Sequence, residues 1–315
     1  MAINFRILSP NTHLRPRLAC EITPAGVIAA RQQSEEQAVM SFVPLADGVV
    51  RPGLVEANFT DPAVVVAALE KALGEIAPRE KNLTLVVPDA AVRVLMLEFD
   101  TLPAKAQEAL PIVRFRLRKL MPFEVDDAAV SYQVMRQGQG EHGQTHALVT
   151  VMPAAVRAEY EAAVRAAEYE PGVMLPSTLA VVAALTTSDA ALVVNRNGLS
   201  LTTAIAAGDQ LLLHRTQELP VDDRQQQEEL VQSVSVARAY FEDTLHTLPD
   251  VVYYVGPGGA QELARVFEDS AGDEAEDGLR VRDLVTASAT GTTGPMGASG
   301  APRGLAAGVT GALAS

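Results

Sequence analysis

Apolar residues from Leu18 run into Glu21-Ile22, a Thr23-Pro24-Ala25-Gly26 turn follows, and Val27-Ile28-Ala29 returns, which predicts a hairpin at the start of a sheet. Asp61-Pro62 marks a helix start, because proline is tolerated at the first helical position, and Val66, Leu69, Leu73 and Ile76 continue it at helical spacing. That face is expected to pack on the sheet. A continuous apolar run, Leu83 to Val87, stops at Pro88-Asp89, and alternation from Val92 to Phe99 predicts another strand beyond the turn. Residues 104 to 121 are helical in composition. Pro111, which lacks a backbone donor, is expected to kink or restart that helix near Leu110.

Two more strands, over 128–135 and 146–151, flank a glycine-rich segment over 137–143 that reads as a mobile surface loop. Val156, Tyr160, Ala163 and Ala167 mark an amphipathic helix, and Gly172 to Pro176 is expected to turn the chain back toward the first sheet. The second half begins with a meander that mirrors the first hairpin: Ala190 to Val194, a turn at Asn195 to Gly198, Leu199 to Ala206, and Gln210 to Arg215. Leu230, Val234, Ala237, Phe241 and Leu245 then define a long helix. Val251 to Val255 follows as a strand, entering Gly256-Pro257-Gly258-Gly259 before a helix from Gln261 to Phe267.

The length of 315 residues exceeds one ordinary core, and the 48% hydrophobic content with no Trp leaves Ala, Val and Leu to fill what forms. The expected division is a first lobe over 1–83 and 166–189, an inserted α/β unit over 84–165, a second lobe over 190–285, and a low-complexity linker over 286–303. Residues 304–315 are weakly helical and able to dock back on a lobe. A net charge of -14 repels phosphate backbones and excludes generic nucleic-acid binding. Cys20 is alone and forms no internal disulfide, no leader pattern precedes Ile3 to Leu8, and the longest apolar stretch, Leu179 to Val194, is interrupted by polar residues. A soluble cytoplasmic protein without a transmembrane segment is the expectation.

Little catalytic chemistry is legible. His142 and His146 share no helical face, so no metal site is expected, and no Ser-His-Asp or Cys-His set converges, so no catalytic residue is assigned. Cys20 reads as a small buried apolar side chain. Arg114, Arg116, Arg118 and Lys119 form one dense basic cluster, either a solvated helix face or a surface for anionic lipid or an acidic partner.

Several local strings resemble the PilM family of type IV pilus assembly: Leu83-Thr84-Leu85-Val86-Val87-Pro88, Val92 to Phe99, Leu102-Pro103, Arg114-Phe115, Met121-Pro122-Phe123 and Ser131-Tyr132-Gln133-Val134. The Pro-Phe followed by Tyr-Gln-Val is the most specific part, and looser similarity extends through 154–168, 190–219 and 251–267. The resemblance implies an α/β, actin-like (RNase H-like) two-lobed fold with an inserted FtsA-type subdomain. It implies a groove between that subdomain and the first lobe that takes the N-terminal cytoplasmic tail of a PilN-like inner-membrane protein, with other pilus platform proteins as further partners. The chain would then sit peripherally at the inner membrane, and Pro122, Phe123, Arg114 and Arg118 are the family-matched landmarks for partner binding.

The same superfamily binds nucleotide on three turns, and this chain departs from all but one. Where relatives read Asp-Ile-Gly-Ser, it has Glu21-Ile22-Thr23-Pro24: the acid is one methylene longer, Thr23 adds a side chain, and Pro24 deletes an N–H. Where relatives read Asp-Ile-Gly-x-Gly-Thr, it has Asn195-Arg196-Asn197-Gly198-Leu199-Ser200, with an amide for the acid. Arg196 could still pair with a phosphate. The third turn keeps Gly258 and Gly259, either as a residual adenosine contact or as glycines of a tight turn. Glu21, Asn195, Ser200, Gly258 and Gly259 are thus the candidate nucleotide contacts. ATP hydrolysis is not expected, ATP with Mg remains open, and no other cofactor is implied. Two rival readings are an active superfamily ATPase, which predicts an acid at 195 and glycines at 23 and 197, and the actin-like cytoplasmic part of a type II secretion protein, GspL.

Overall fold

The computed structural model describes residues 16–34, 37–55, 57–136, 144–187, 189–271, 280–285 and 303–314. The predicted hairpin forms from β1 (Leu18–Thr23) and β2 (Gly26–Gln32), and β3 (Ala38–Pro44), which the pattern did not announce, extends it. Helix α1 (Pro62–Ile76) is capped by Asp61, whose carboxylate accepts from the amides of Ala63 and Val64 at 3.1 and 3.3 Å. It buries Leu69, Leu73 and Ile76 as expected, but Val65 rather than Val66 faces fully inward. β4 (Asn82–Val87) then runs parallel to β1.

A 3-10 turn at Asp89–Ala91 leads to β5 (Arg93–Phe99), α2 (Ala106–Leu117), β6 (Ala129–Arg136) and β7 (Thr145–Met152), whose strands form a separate sheet in the order β5-β7-β6 with α2 on one face. Pro111 lies inside α2 without breaking it. The carbonyl it leaves unpartnered belongs to Gln107, an exposed residue, so solvent can take the place of the lost donor.

The chain returns through α3 (Ala154–Ala166), β8 (Glu170–Pro176) and α4 (Ser177–Ala183). Gly172 to Pro176 is therefore strand, not turn. It pairs parallel with β4 as the sheet's last strand, where Pro171 and Pro176 need no N–H on the outer side. The boundaries expected at 84 and 165 also move. Leu83 to Val87 pair inside the first sheet, and α3 buries Val156, Tyr160, Ala163 and Val164 in the core shared with α1, so the inserted unit is about residues 92 to 153.

The second half repeats the plan with β9 (Ala191–Asn197), β10 (Ser200–Ala207), β11 (Gln210–Glu218), α5 (Asp223–Leu245), β12 (Val252–Val255), α6 (Gly259–Ala271) and β13 (Val281–Asp283), followed by α7 (Ala307–Ala314). The orders β3-β2-β1-β4-β8 and β11-β10-β9-β12-β13 are equivalent: each has two antiparallel pairings on one side of its first strand and two parallel ones on the other. The turn expected at Asn195 to Gly198 shrinks to Gly198 and Leu199, because Asn195, Arg196 and Asn197 all pair with β10. α7 docks on the first lobe, burying Val309 and Ala312 beside Ala19, Ile28 and Val86. Of the other sequence expectations, the loop over 137–143 and nearly all of the 286–303 linker lie outside the described residues. No described helix is long and apolar enough to cross a membrane.

Candidate functional site

The parallel strands β1, β4 and β8 end at neighbouring points, where the chain leaves each strand and its polar side chains need not serve the ladder. Glu21 stands near the end of β1, Asp89 follows β4, and Ser177 and Thr178 follow β8 at the start of α4; all four are buried. Ser177 Oγ donates to Glu21 Oε1 at 2.7 Å. The amide of Thr178 donates to Asp89 Oδ1 at 3.0 Å, and its hydroxyl donates to Asp89 Oδ2. From the second sheet, Asn195 Nδ2 reaches into this group, 2.9 Å from Thr178 Oγ1, 3.1 Å from Ser177 Oγ and 3.5 Å from Asp89 Oδ2. Glu21 and Asn195, far apart in sequence, therefore belong to one polar cluster.

Burial pushes the Glu21 carboxyl up to about 7, opposed by the bond from Ser177 and reinforced by the negative charge of Asp89. Its Oε2 has no hydrogen-bond partner and lies against Gly308 of α7, where an added Cβ would come within 2.2 Å of it. His214 of β11 is partly exposed, but its Nε2 is enclosed and unpartnered. Burial lowers its pKa, partly offset by the charge of Asp89. Pattern reading missed Asp89, Ser177, Thr178 and His214. The available signal was positional: Pro88-Asp89 and Pro176-Ser177-Thr178 each put polar groups just beyond an apolar strand.

The other candidates do not join this cluster. Ser200 lines a cavity of about 360 Å³ together with Asn197, Leu199, Leu54, Arg93 and Pro122, and its Oγ has no hydrogen-bond partner. Arg196 turns to the helix layer of its own lobe, where it donates to Gln226 at 2.5 Å, so it is not poised for a phosphate in the cleft. Gly258 and Gly259 adopt φ of +72° and +64°, and the carboxylate of Asp283 sits against Gly259 while accepting from the amide of Ala260 at 2.7 Å. That geometry accounts for both glycines as turn residues capping α6.

These residues do not fit a metal-bound nucleotide. Asn195 directs N–H groups at the oxygens of the first lobe, where a cation would have to compete with them. Thr23 spends its hydroxyl inside its own turn, exchanging hydrogen bonds with Gly26. Between the two hairpin turns, the Pro24 ring packs on Gly198 so closely that a Cβ there would lie 2.9 Å from Pro24 Cγ.

Around the inserted unit, Pro122 and Phe123 face two adjoining cavities that share Leu54 and Val55. The second, about 470 Å³, lies between the first lobe and the insertion and is walled by Phe123, Pro153, Ala154 and Val156, with Glu124 and Asp127 at its edge. Glu159, also there, is already engaged by the amides of Asn58 and Phe59 at 2.7 and 2.9 Å. Val55 is 78% exposed, a large apolar side chain with no cover.

The basic cluster divides. Arg114 is not on a free face: its guanidinium donates to the carbonyls of Val125, Asp126 and Ala128, tying α2 to the segment before β6. Arg118 pairs with Asp126 at 2.5 Å in the open, and Lys119 lies over the ring of Phe115 at 5.3 Å. Arg114→Ala is expected to cost about 2 kcal/mol of unfolding free energy, since the part-buried carbonyls of Val125 and Ala128 lose a charged donor, and Arg118→Ala under about 1 kcal/mol. Equal losses in a denaturant titration would contradict this division. Cys20 is fully buried and burial raises its thiol pKa, while His146 forms an exposed contact with Glu98 at 3.6 Å. His142 lies outside the described residues.

No protein-family model and no curated protein matches the chain. Among solved structures it is similar to a chain of the PilM-PilN type IV pilus biogenesis complex, with 18% identity, a TM-score of 0.70, and coverage of 87% of this chain and 90% of that one. It also aligns with the cytoplasmic domain of EpsL, an inner-membrane component of the type II secretion system of Vibrio cholerae, at 13% identity and a TM-score of 0.45, covering 76% of this chain and 82% of that one. The ethanolamine utilization protein EutJ from Carboxydothermus hydrogenoformans aligns at 10% identity and 0.46, covering 96% and 93%. The likeness at 0.70, with the repeated five-stranded sheets, establishes an actin-like α/β fold.

Proposed function

We propose that this protein is a cytoplasmic scaffold of type IV pilus assembly that binds the N-terminal tail of a PilN-like inner-membrane protein, without hydrolysing ATP. The observation that carries the proposal is the likeness over nearly the whole chain to a chain of the PilM-PilN complex. The groove between the first lobe and the inserted unit supports it: Leu54, Val55, Phe123 and Val156 offer apolar anchoring for an extended segment, and Glu124 and Asp127 favour a basic side chain at its edge. Held through such a tail, the chain would sit peripherally at the membrane, beside the other platform proteins.

A peptide copying the cytoplasmic N-terminus of the neighbouring PilN-like protein should bind saturably in calorimetry with a Kd of about tens of micromolar. Phe123→Asp should weaken it by at least about tenfold, roughly 1.4 kcal/mol, while leaving the far-UV circular dichroism unchanged. Absence of saturable binding at these concentrations would reject the tail as a ligand. Steady phosphate release above the rate without protein, in the presence of Mg-ATP, would reject the other half.

A further inference from the structure

Besides α4, whose Leu179, Val181 and Val182 pack with Val193 and Ala204 of the second sheet, three further contacts among the described residues join the lobes, each made by the chain's own atoms. Deepest is the Asn195 amide, which leaves the second sheet and donates to Thr178, Ser177 and Asp89 on the side of the first. At the two hairpin turns, Pro24 of the first lobe rests on Gly198 of the second. At the third, the amide of Gly256 donates to the carbonyl of Gly304 at 2.7 Å, and the chain continues into α7, which seats Gly308 on Glu21 and Gly311 on the carbonyl of Ala180.

From these contacts we infer that the lobes are latched to each other by the chain itself, so that the cleft keeps one closed geometry with nothing bound in it. The inference extends the reading that the cleft has lost its nucleotide chemistry, and it rests on that reading rather than on tail binding. A ligand closes a two-lobed protein only through a difference in affinity between its open and closed states. Here Asn195 is already spent on the first lobe and Thr23 on its own turn. Opening would strip the Asn195 amide of Thr178, Ser177 and Asp89 and uncover the Pro24 contact, so the resting state is the closed one.

The test is an interlobe distance distribution in the full chain, measured by double electron–electron resonance between spin labels on Glu70→Cys of α1 and Glu242→Cys of α5. Both sites are exposed, and Cys20 is too deeply buried to compete for label. The latched form gives one narrow distribution that saturating Mg-ATP does not move, and Asn195→Leu broadens it at least about twofold. Thr178→Val, which removes one hydroxyl from the same cluster, should broaden it as well and serves if the first variant does not fold. A broad distribution for the parent protein, or one that Mg-ATP shifts, overturns the latch. Variants as narrow as the parent overturn its assignment to this cluster. Phosphate release followed in the same sample bears on the nucleotide reading alone, so the two ideas fail separately.

Discussion

An Asn195→Asp variant should lose about 3 to 5 kcal/mol of unfolding free energy at neutral pH, although it restores the acid that nucleotide-dependent relatives carry at this position. Asn195 acts as a donor: Nδ2 serves Thr178 Oγ1, Ser177 Oγ and Asp89 Oδ2 within 2.9 to 3.5 Å. A carboxylate in its place has no hydrogen to give and faces Asp89 in a site where both positions are almost completely buried. An unpaired buried charge then costs more than a lost neutral hydrogen bond. The introduced carboxylate escapes by taking a proton, which restores one donor, so the loss should shrink on going from pH 7 to pH 5. Denaturant titrations at the two pH values decide the matter, with Asn195→Leu as the uncharged control. Parent-like stability at pH 7 would mean that the amide is not a necessary donor. A variant stabilised by several kcal/mol on adding Mg-ATP would mean that the cleft still accepts the metal-bound nucleotide.

The reach of the sequence differs between fold and site for a physical reason. Periodicity reports which residues face a core, so α1, α3, α5 and the β9-β10-β11 meander were legible from apolar spacing alone. Strand pairing is a long-range property. β8 reads as a turn in sequence because Pro171, Gly172 and Pro176 are turn-like locally, whereas pairing along β4 decides their conformation. The short β13 and the unannounced β3 failed for the same reason. Pro111 misled in the opposite direction, since the exposed carbonyl of Gln107 absorbs the missing donor at little cost. Within the site, Glu21 and Asn195 could be picked out by their departures from a superfamily motif. Asp89, Ser177, Thr178 and His214 could not, since each is an ordinary polar residue until two sheets bring it within reach of the others. The role of Arg114 was hidden likewise: a run of basic residues looks uniform in sequence, and only the fold shows that one of them closes three carbonyls while its neighbours face water.

Glu21 makes the stability of the fold depend on pH in a direction opposite to that of a paired surface carboxylate. Its pKa is raised from 4.5 to about 7, chiefly by burial, so between these values the native state holds a proton that the unfolded chain has released. The protonated group's contribution is complete below about pH 4.5 and is lost as pH rises toward 7 and beyond, with a total of at most about 3 kcal/mol. The amide of a Glu21→Gln variant keeps an oxygen to accept from Ser177 Oγ and does not titrate, so that variant's stability should carry none of this slope. His214, whose pKa is lowered by burial, works against Glu21 in the parent protein: it withholds a proton that the unfolded chain binds, and so removes stability as pH falls through about 6.5. The parent curve alone is therefore a sum of two opposed contributions, and the difference between parent and E21Q isolates the carboxyl. Urea midpoints at pH 5, 6, 7 and 8 should show E21Q gaining on the parent steadily up to about pH 7 and holding its lead above it. Parallel curves over that range would mean that Glu21 titrates at an ordinary value, and that its buried Oε2 beside Gly308 finds water or a donor in solution.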